Sequence, residues 1–192
     1  MVKTALLEET LEIPEGIDVK ITDDHHITVK GPNGTITKNF SHMRGIKMIV
    51  EGKLIKFSTY FPKGETVALT KTVYNLIKNL ITGVQNNYKY YCKICYSHFP
   101  FNAEIKPKKN EIHFVNFLGE RAPRVTKYLD NVKVKVSGDD IILEGPDKEV
   151  LGQTAANMKR SCRIRKKDPR VFQDGVYLYK KELGDEILWQ IK

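Results

Sequence analysis

A shift of 86 residues lays the second half of this chain on the first, setting Pro14 on Pro100, Lys20 on Lys106, Gly52 on Gly138 and Ile55 on Ile141. Apolar positions follow: Ile13 meets Phe99, Val19 meets Ile105, Ile46 meets Val132, Met48 meets Val134 and Val50 meets Val136. With one residue of slack in a loop, Ile27 meets Ile112, Val29 meets Phe114 and Gly34 meets Gly119. After a four-residue deletion, Thr72 and Asn75 meet Thr154 and Asn157. A louder echo, Gly31–Pro32 against Gly145–Pro146, demands a shift of 114 (145 − 31), and a repeat that long cannot occur twice in 192 residues. Common order and near-constant spacing point to an internal duplication. Two domains are expected, residues 1–85 and 86–192, each long enough to bury a core.

Within the first copy, "IDVKI", "HITVK" and "TITKNF" alternate apolar and polar residues, the period of a half-buried strand. "GPNG" between the last two suits a tight turn, and Glu51–Gly52–Lys53 marks a second hairpin between "IKMIV" and "LIKFSTY". "TVALTKTVYNLIKNLITGV" then changes period: Leu69, Val73, Leu76, Ile77 and Leu80 recur at helical spacing, and Gly83 is expected to end the helix. The second copy replays this with "YKYYCKICYSHF", "NAEIK", "EIHFVNF", "VKVKV" and "DIILE" as strands. Asp147 is placed to cap a helix from Lys148 whose stripe is Val150, Leu151, Thr154, Ala155 and Met158, and Pro169 opposes its continuation. A polar tail follows to Lys192. The expected class is α+β: two tandem duplicated domains, each an antiparallel sheet covered on one face by a helix.

Charge narrows the function. Lys and Arg number 32 against 23 Asp and Glu, a net +9 that favours anionic partners, nucleic acid first. The surplus is polarised: residues 1–16 carry net −3, and residues 155–170, "AANMKRSCRIRKKDPR", carry net +6. No run approaches the ~18 apolar residues of a membrane helix, and the start shows no basic-then-apolar leader, so a cytosolic or nuclear location and no membrane partner are expected. Three cysteines do not form a secreted disulfide framework.

Chemistry-bearing motifs are scarce. Cys92, Cys95 and His98 have metal-like spacing, but no second pair supplies the four converging ligands of a zinc site. On a strand Cys92 and His98 share a face while Cys95 points to the other. Asp23, Asp24, His25 and His26 read as a solvated hairpin tip rather than a general base. "KGPNG" lacks the length and the Lys-Ser or Lys-Thr of a phosphate loop. We expect no enzyme, catalytic residue, metal, cofactor or small-molecule substrate.

Lys159, Arg160, Arg163, Arg165, Lys166, Lys167 and Arg170 are therefore the leading candidates, at a helix end and in the following loop. A charge run is often only a solvated face, and cations also complement a helix carboxyl terminus. Here seven cations share one local anion, and four are Arg, whose planar fork matches phosphate. Arg121, Arg124 and Lys127 in "GERAPRVTKY" form a second set, in a stretch read as a loop. The first copy has only "SHMRGIK" there, so the second copy is the candidate anion reader.

"HFPFN", "FLGE", "IILEGPDKEV" and "KKDPRVFQDGVY", with "IPEGIDV" and "VKGPNG" in the first copy, resemble the universal large-subunit ribosomal protein six family in its eukaryotic and archaeal branch, called protein nine in eukaryotes. The resemblance spans nearly the whole chain. It implies two duplicated α+β domains and a non-enzymatic constituent of the large subunit. Its second domain would bind ribosomal RNA near the sarcin–ricin loop and the translation-factor site, beside neighbouring ribosomal proteins. It further implies a cytoplasmic ribosome, with nucleolar assembly in a eukaryote. Lys159 to Arg170 match the family's RNA-contacting region, and the stretch after "FLGE" its other basic loop, here poorer in arginine. "KKELGDEILWQIK" matches nothing in the family's pattern. A free-standing RNA- or DNA-binding module and a protein-interaction scaffold are the other two readings.

Overall fold

Alternation becomes strand wherever it was expected. The computed structural model describes residues 5–22, 25–168 and 170–191, and its contacts divide the chain into two units, residues 1–86 and 87–192. Asp23, Asp24 and Pro169, named above, lie outside the described residues.

The first unit runs β1 (Leu6–Glu12), β2 (Asp18–Ile21), β3 (His26–Gly31), β4 (Gly34–Asn39), β5 (Lys47–Glu51), β6 (Leu54–Tyr60) and α1 (Gly64–Gln85). Its strands form two antiparallel sheets, β1-β6-β5 and β2-β3-β4, rather than one meander. α1 packs against β3 and β4 of one sheet and β1 and β6 of the other. Ile27, Val29, Ile55, Phe57, Val73 and Ile77 are fully buried between them. Each such side chain contributes roughly 1.5–3 kcal/mol over the exposed state.

Gly83 does not end α1; the helix runs two residues further, to Gln85. The reason is the "GPNG" turn. The Asn33 backbone N–H donates to the Val84 carbonyl (3.2 Å) and its side-chain amide to the Gln85 carbonyl (2.9 Å), satisfying carbonyls that a glycine cap would otherwise serve. Gly31 permits that approach: a Cβ there would lie 2.3 Å from Val84 Cγ1.

The second unit runs β7 (Tyr88–Cys95), β8 (Asn102–Lys106), β9 (Glu111–Val115), β10 (Arg124–Lys127), β11 (Lys133–Ser137), β12 (Asp140–Gly145), α2 (Lys148–Ser161), β13 (Gly175–Leu183) and β14 (Glu186–Gln190). β8-β9-β10 repeats β2-β3-β4, and β11-β12-β7 repeats β5-β6-β1. The equivalence extends to backbone detail: Gly52 and Gly138 turn their hairpins at φ 60°, and Ile55 and Ile141 are both fully buried one strand later. It fails in the helices. Thr72 is exposed whereas Thr154 is buried, because the buried stripe, not the polar identities, sets helix register.

One feature has no counterpart among the described residues of the first unit. The tail is not a loose appendage: β13 pairs with the free edge of β7 and β14 pairs with β13, giving the order β11-β12-β7-β13-β14. The basic segment is the connection from α2 into that added hairpin. The duplicated fold thus carries its charge where the copies differ. Among the described residues, no helix is long and apolar enough to cross a membrane.

Candidate nucleic-acid interface

α2 is held at both ends. The Asp147 side chain accepts from the Glu149 N–H (2.9 Å), capping the start as expected. Leu151, Thr154, Ala155 and Met158 are buried and Val150 packs partly against the same core, so Lys159 and Arg160 emerge exposed in the last turn. Cys162 follows, buried, its thiol pushed up to about 12 by that burial. It anchors the chain just where the basic loop leaves.

The loop itself is built. Lys166 sits at φ 59°, a left-handed conformation uncommon for a residue other than glycine, which turns the chain back. The Asp168 side chain accepts from the Arg170 N–H (2.9 Å), and its carbonyl accepts from the Val171 (3.2 Å) and Phe172 (3.0 Å) N–H groups. Phe172 stacks on His98 (centroids 4.4 Å apart, planes 16° apart), and Lys167 Nζ lies 4.3 Å from the same ring. Behind them Asp174 is buried. It accepts from the Ser97 N–H (2.9 Å) and hydroxyl (3.1 Å), the His98 N–H (3.5 Å), and lies 3.3 Å from His98 Nδ1. Burial would raise the Asp174 carboxyl, but the hydrogen bonds from Ser97 and His98 outweigh it and hold the group below its ordinary value.

His98 therefore does not share a strand face with Cys92, as the sequence suggested. β7 stops at Cys95, and His98 serves this loop. Cys92 is buried and Cys95 lies on the opposite face, half-buried. Among the described residues no group of three His, Cys, Asp or Glu could hold a metal ion.

All seven predicted cations are exposed. Arg170 meets Asp168 (3.5 Å), while the other six have no carboxylate partner among the described residues, Lys159 and Lys167 lying instead over the Tyr177 and Phe172 rings. Lys159, Arg160 and Arg163 share a cleft of about 480 Å³ with Phe172, Asp174 and Tyr177.

The second predicted set divides. Arg124 and Lys127 lie on β10 rather than in a loop, because "RVTK" pairs with Glu111–Phe114 of β9. Arg121 is exposed in the preceding turn, and Lys127 is exposed opposite Glu111. Arg124 is turned inward. Its Nε and Nη2 grip Glu120 (2.8 and 2.5 Å), and Nη1 donates to the carbonyls of Ser161 (3.1 Å) and Arg163 (2.9 Å). Its guanidinium carbon lies 4.3 Å from the centre of the buried Phe117 ring. The bidentate hydrogen bond from Arg124 holds the Glu120 carboxyl below its ordinary value. Arg124 thus satisfies the last carbonyl of α2, that of Ser161, and through the Arg163 carbonyl fixes the start of the basic loop.

Reading by charge missed Glu120, His98, Phe172, Asp174 and Tyr177. Glu120, four residues from Arg124, has its partner nearby, but Ser97 and His98 meet Asp174 across 77 and 76 residues of sequence. Alternation in "GVYLYK" was the available hint that a strand follows the loop.

Comparison with known proteins accords with this duplicated frame. Residues 13–87 and 99–175 both match the family described as Ribosomal protein L6, one stretch per unit. The Large ribosomal subunit protein uL6 of Desulfurococcus amylolyticus is 42% identical over 181 residues, covering 94% of this chain and 98% of that protein. Its namesake in Sulfurisphaera tokodaii is 44% identical over 185 residues (96% and 98%), and that of Methanobrevibacter smithii 41% over 182 (95% and 100%). The chain belongs to the ribosomal protein L6 family, in its archaeal and eukaryotic branch, a family of structural, non-enzymatic proteins of the large ribosomal subunit.

Proposed function

We propose that the chain is a structural constituent of the large ribosomal subunit that binds large-subunit RNA mainly through its second unit, near the sarcin–ricin loop and the translation-factor site. The observation that carries this is the pairing state of the basic segment. Lys159, Arg160, Arg163, Arg165, Lys166, Lys167 and Arg170 are exposed at the end of α2 and on the anchored loop that follows, and all but Arg170 lack carboxylate partners among the described residues. Cations meant only for solubility need no such anchoring; cations that neutralise phosphates gain from it, because less freedom is lost on binding. Arg121 and Lys127 are peripheral contacts in this reading, and Arg124 supports the loop rather than touching RNA. The placement near the sarcin–ricin loop follows from the family resemblance. Neighbouring large-subunit proteins and a cytoplasmic ribosome come with the same assignment.

Co-sedimentation tests it. The protein should remain with large subunits through a high-salt wash, and a photoreactive side chain in place of the exposed Val171 should cross-link to RNA beside the sarcin–ricin loop. A free RNA-binding module would wash off, and a scaffold would not sediment with subunits at all. Cross-links mapping to remote RNA would overturn the placement.

A further inference from the structure

The cleft beside α2 has a shape that phosphate contacts alone do not require. It is concave, its volume of about 480 Å³ falls in the range of small-ligand sites, and its lining combines cations with an aromatic ring. That ring, Tyr177, is 38% exposed. Its hydroxyl donates to the Gln173 carbonyl (3.1 Å), which fixes its orientation. Gly175 lies close against it: a Cβ there would come within 3.2 Å of the ring, so the absent side chain leaves the ring seated on bare backbone. Lys159 Nζ stands 5.7 Å from the ring centre. Phe172 offers no comparable platform, since the His98 ring is stacked on it with centroids 4.4 Å apart and Lys167 Nζ lies at 4.3 Å, closer than Lys159 stands to Tyr177. Asp174 is the one carboxylate among the lining residues, and its side chain is fully buried and hydrogen-bonded to Ser97 and His98.

We propose that this cleft takes one unpaired nucleotide, its base stacked on Tyr177 and its phosphate held by Lys159, Arg160 and Arg163. The proposal rests on the RNA-binding reading and deepens it: the second unit selects a looped-out nucleotide, not only a run of phosphates. A base inside an A-form helix has both faces stacked and cannot enter such a cleft, whereas bases in loops and bulges can. Stacking on an aromatic side chain tolerates any base, so the site reads unpaired character rather than sequence.

Two measurements on the full chain test this. The first titrates adenosine monophosphate and inorganic phosphate at equal ionic strength, following the Gly175 and Tyr177 amides by NMR. The nucleotide should bind at least about fivefold more tightly than phosphate, the lower end of what one stacked base contributes. The second compares Tyr177→Leu with Tyr177→Phe for binding to large-subunit RNA. Tyr177→Leu should weaken binding about fivefold or more at unchanged salt slope, because a base contact releases no counterion. Tyr177→Phe, which keeps the ring, should restore most of the affinity. Equal binding of nucleotide and phosphate overturns the proposal whether or not RNA binds. Failure of the wild-type chain to bind large-subunit RNA instead overturns the parent reading, and the nucleotide comparison still decides this one. Should Tyr177→Leu fail to fold, the titration of the wild-type chain decides alone.

Discussion

The Arg124 guanidinium donates to the Ser161 carbonyl across 3.1 Å, tying β10 to the last turn of α2 at the point where the basic loop begins. With Glu120 and the Arg163 carbonyl it uses four N–H donors within the unit. Arg124→Lys cannot bridge these partners, since the three N–H groups of an ammonium radiate from one nitrogen and do not reproduce the spread planar fork of the guanidinium. It should lower stability by about 1.5–3 kcal/mol, the range for hydrogen bonds involving a charged group. RNA affinity should weaken while the salt slope changes by less than one contact's worth, ~0.7–0.9. A slope reduced by that full amount, with an unchanged melting temperature, would show Arg124 on a phosphate instead.

Asp174 supplies a pH dependence. Its carboxyl is held below the ordinary value of 3.8 in the folded chain by the hydrogen bonds that overcome its burial. A depressed carboxyl contributes stability fully above its unfolded value and loses it as pH falls through the folded one. Asp174→Asn should therefore lower the unfolding free energy read from urea titration at neutral pH by about 1–3 kcal/mol, and its gap from the wild type should close as pH drops below 3.8. A gap that widens in acid contradicts this account.

Gly31 tests the first unit by itself. Gly31→Ala places a methyl 2.3 Å from Val84 Cγ1, so the buried Val84 side chain must shift within the core. Overpacking of this kind costs roughly 1–3 kcal/mol. Calorimetry should show that loss, and RNA affinity carried by the second unit should be nearly unchanged. An equal loss of RNA binding would mean that the first unit takes part in it.

Much of this fold is legible in the sequence because its strands are half-buried and its helices amphipathic, so solvent imposes periods of 2 and 3.6 on the residues themselves. β3, with Ile27 and Val29 inward and Thr28 outward, is such a case. β1 escaped because "LLEETLE" is acidic and buries only Leu11 fully inward. The β13–β14 hairpin escaped because β14 is exposed along its whole length and leaves no alternation to read. The seven cations of the site were visible because charge is written residue by residue. The supports were not: Glu120 to Arg124 is local, but Arg124 to Ser161 spans 37 residues and Ser97 to Asp174 spans 77. Such pairings exist only once the chain is folded.

The cysteines are predicted to differ in reactivity. Burial pushes the Cys92 and Cys162 thiols up to about 12, and raises that of half-buried Cys95 as well. At pH 8 a thiol reagent should modify Cys95 first, with Cys92 and Cys162 reacting only as the chain unfolds. Prompt modification of all three in the native protein would contradict their packing.

The most direct test of the central claim is the salt dependence of RNA binding when Arg163, Arg165, Lys166 and Lys167 are all replaced by Gln. If these side chains neutralise phosphates, each releases counterions worth ~0.7–0.9 in the slope of log affinity against log salt. The quadruple variant should then bind more weakly, its slope flatter by about 3, with its melting temperature close to that of the wild type. A folded variant whose slope matches the wild type would contradict the account and leave the segment a solvated face.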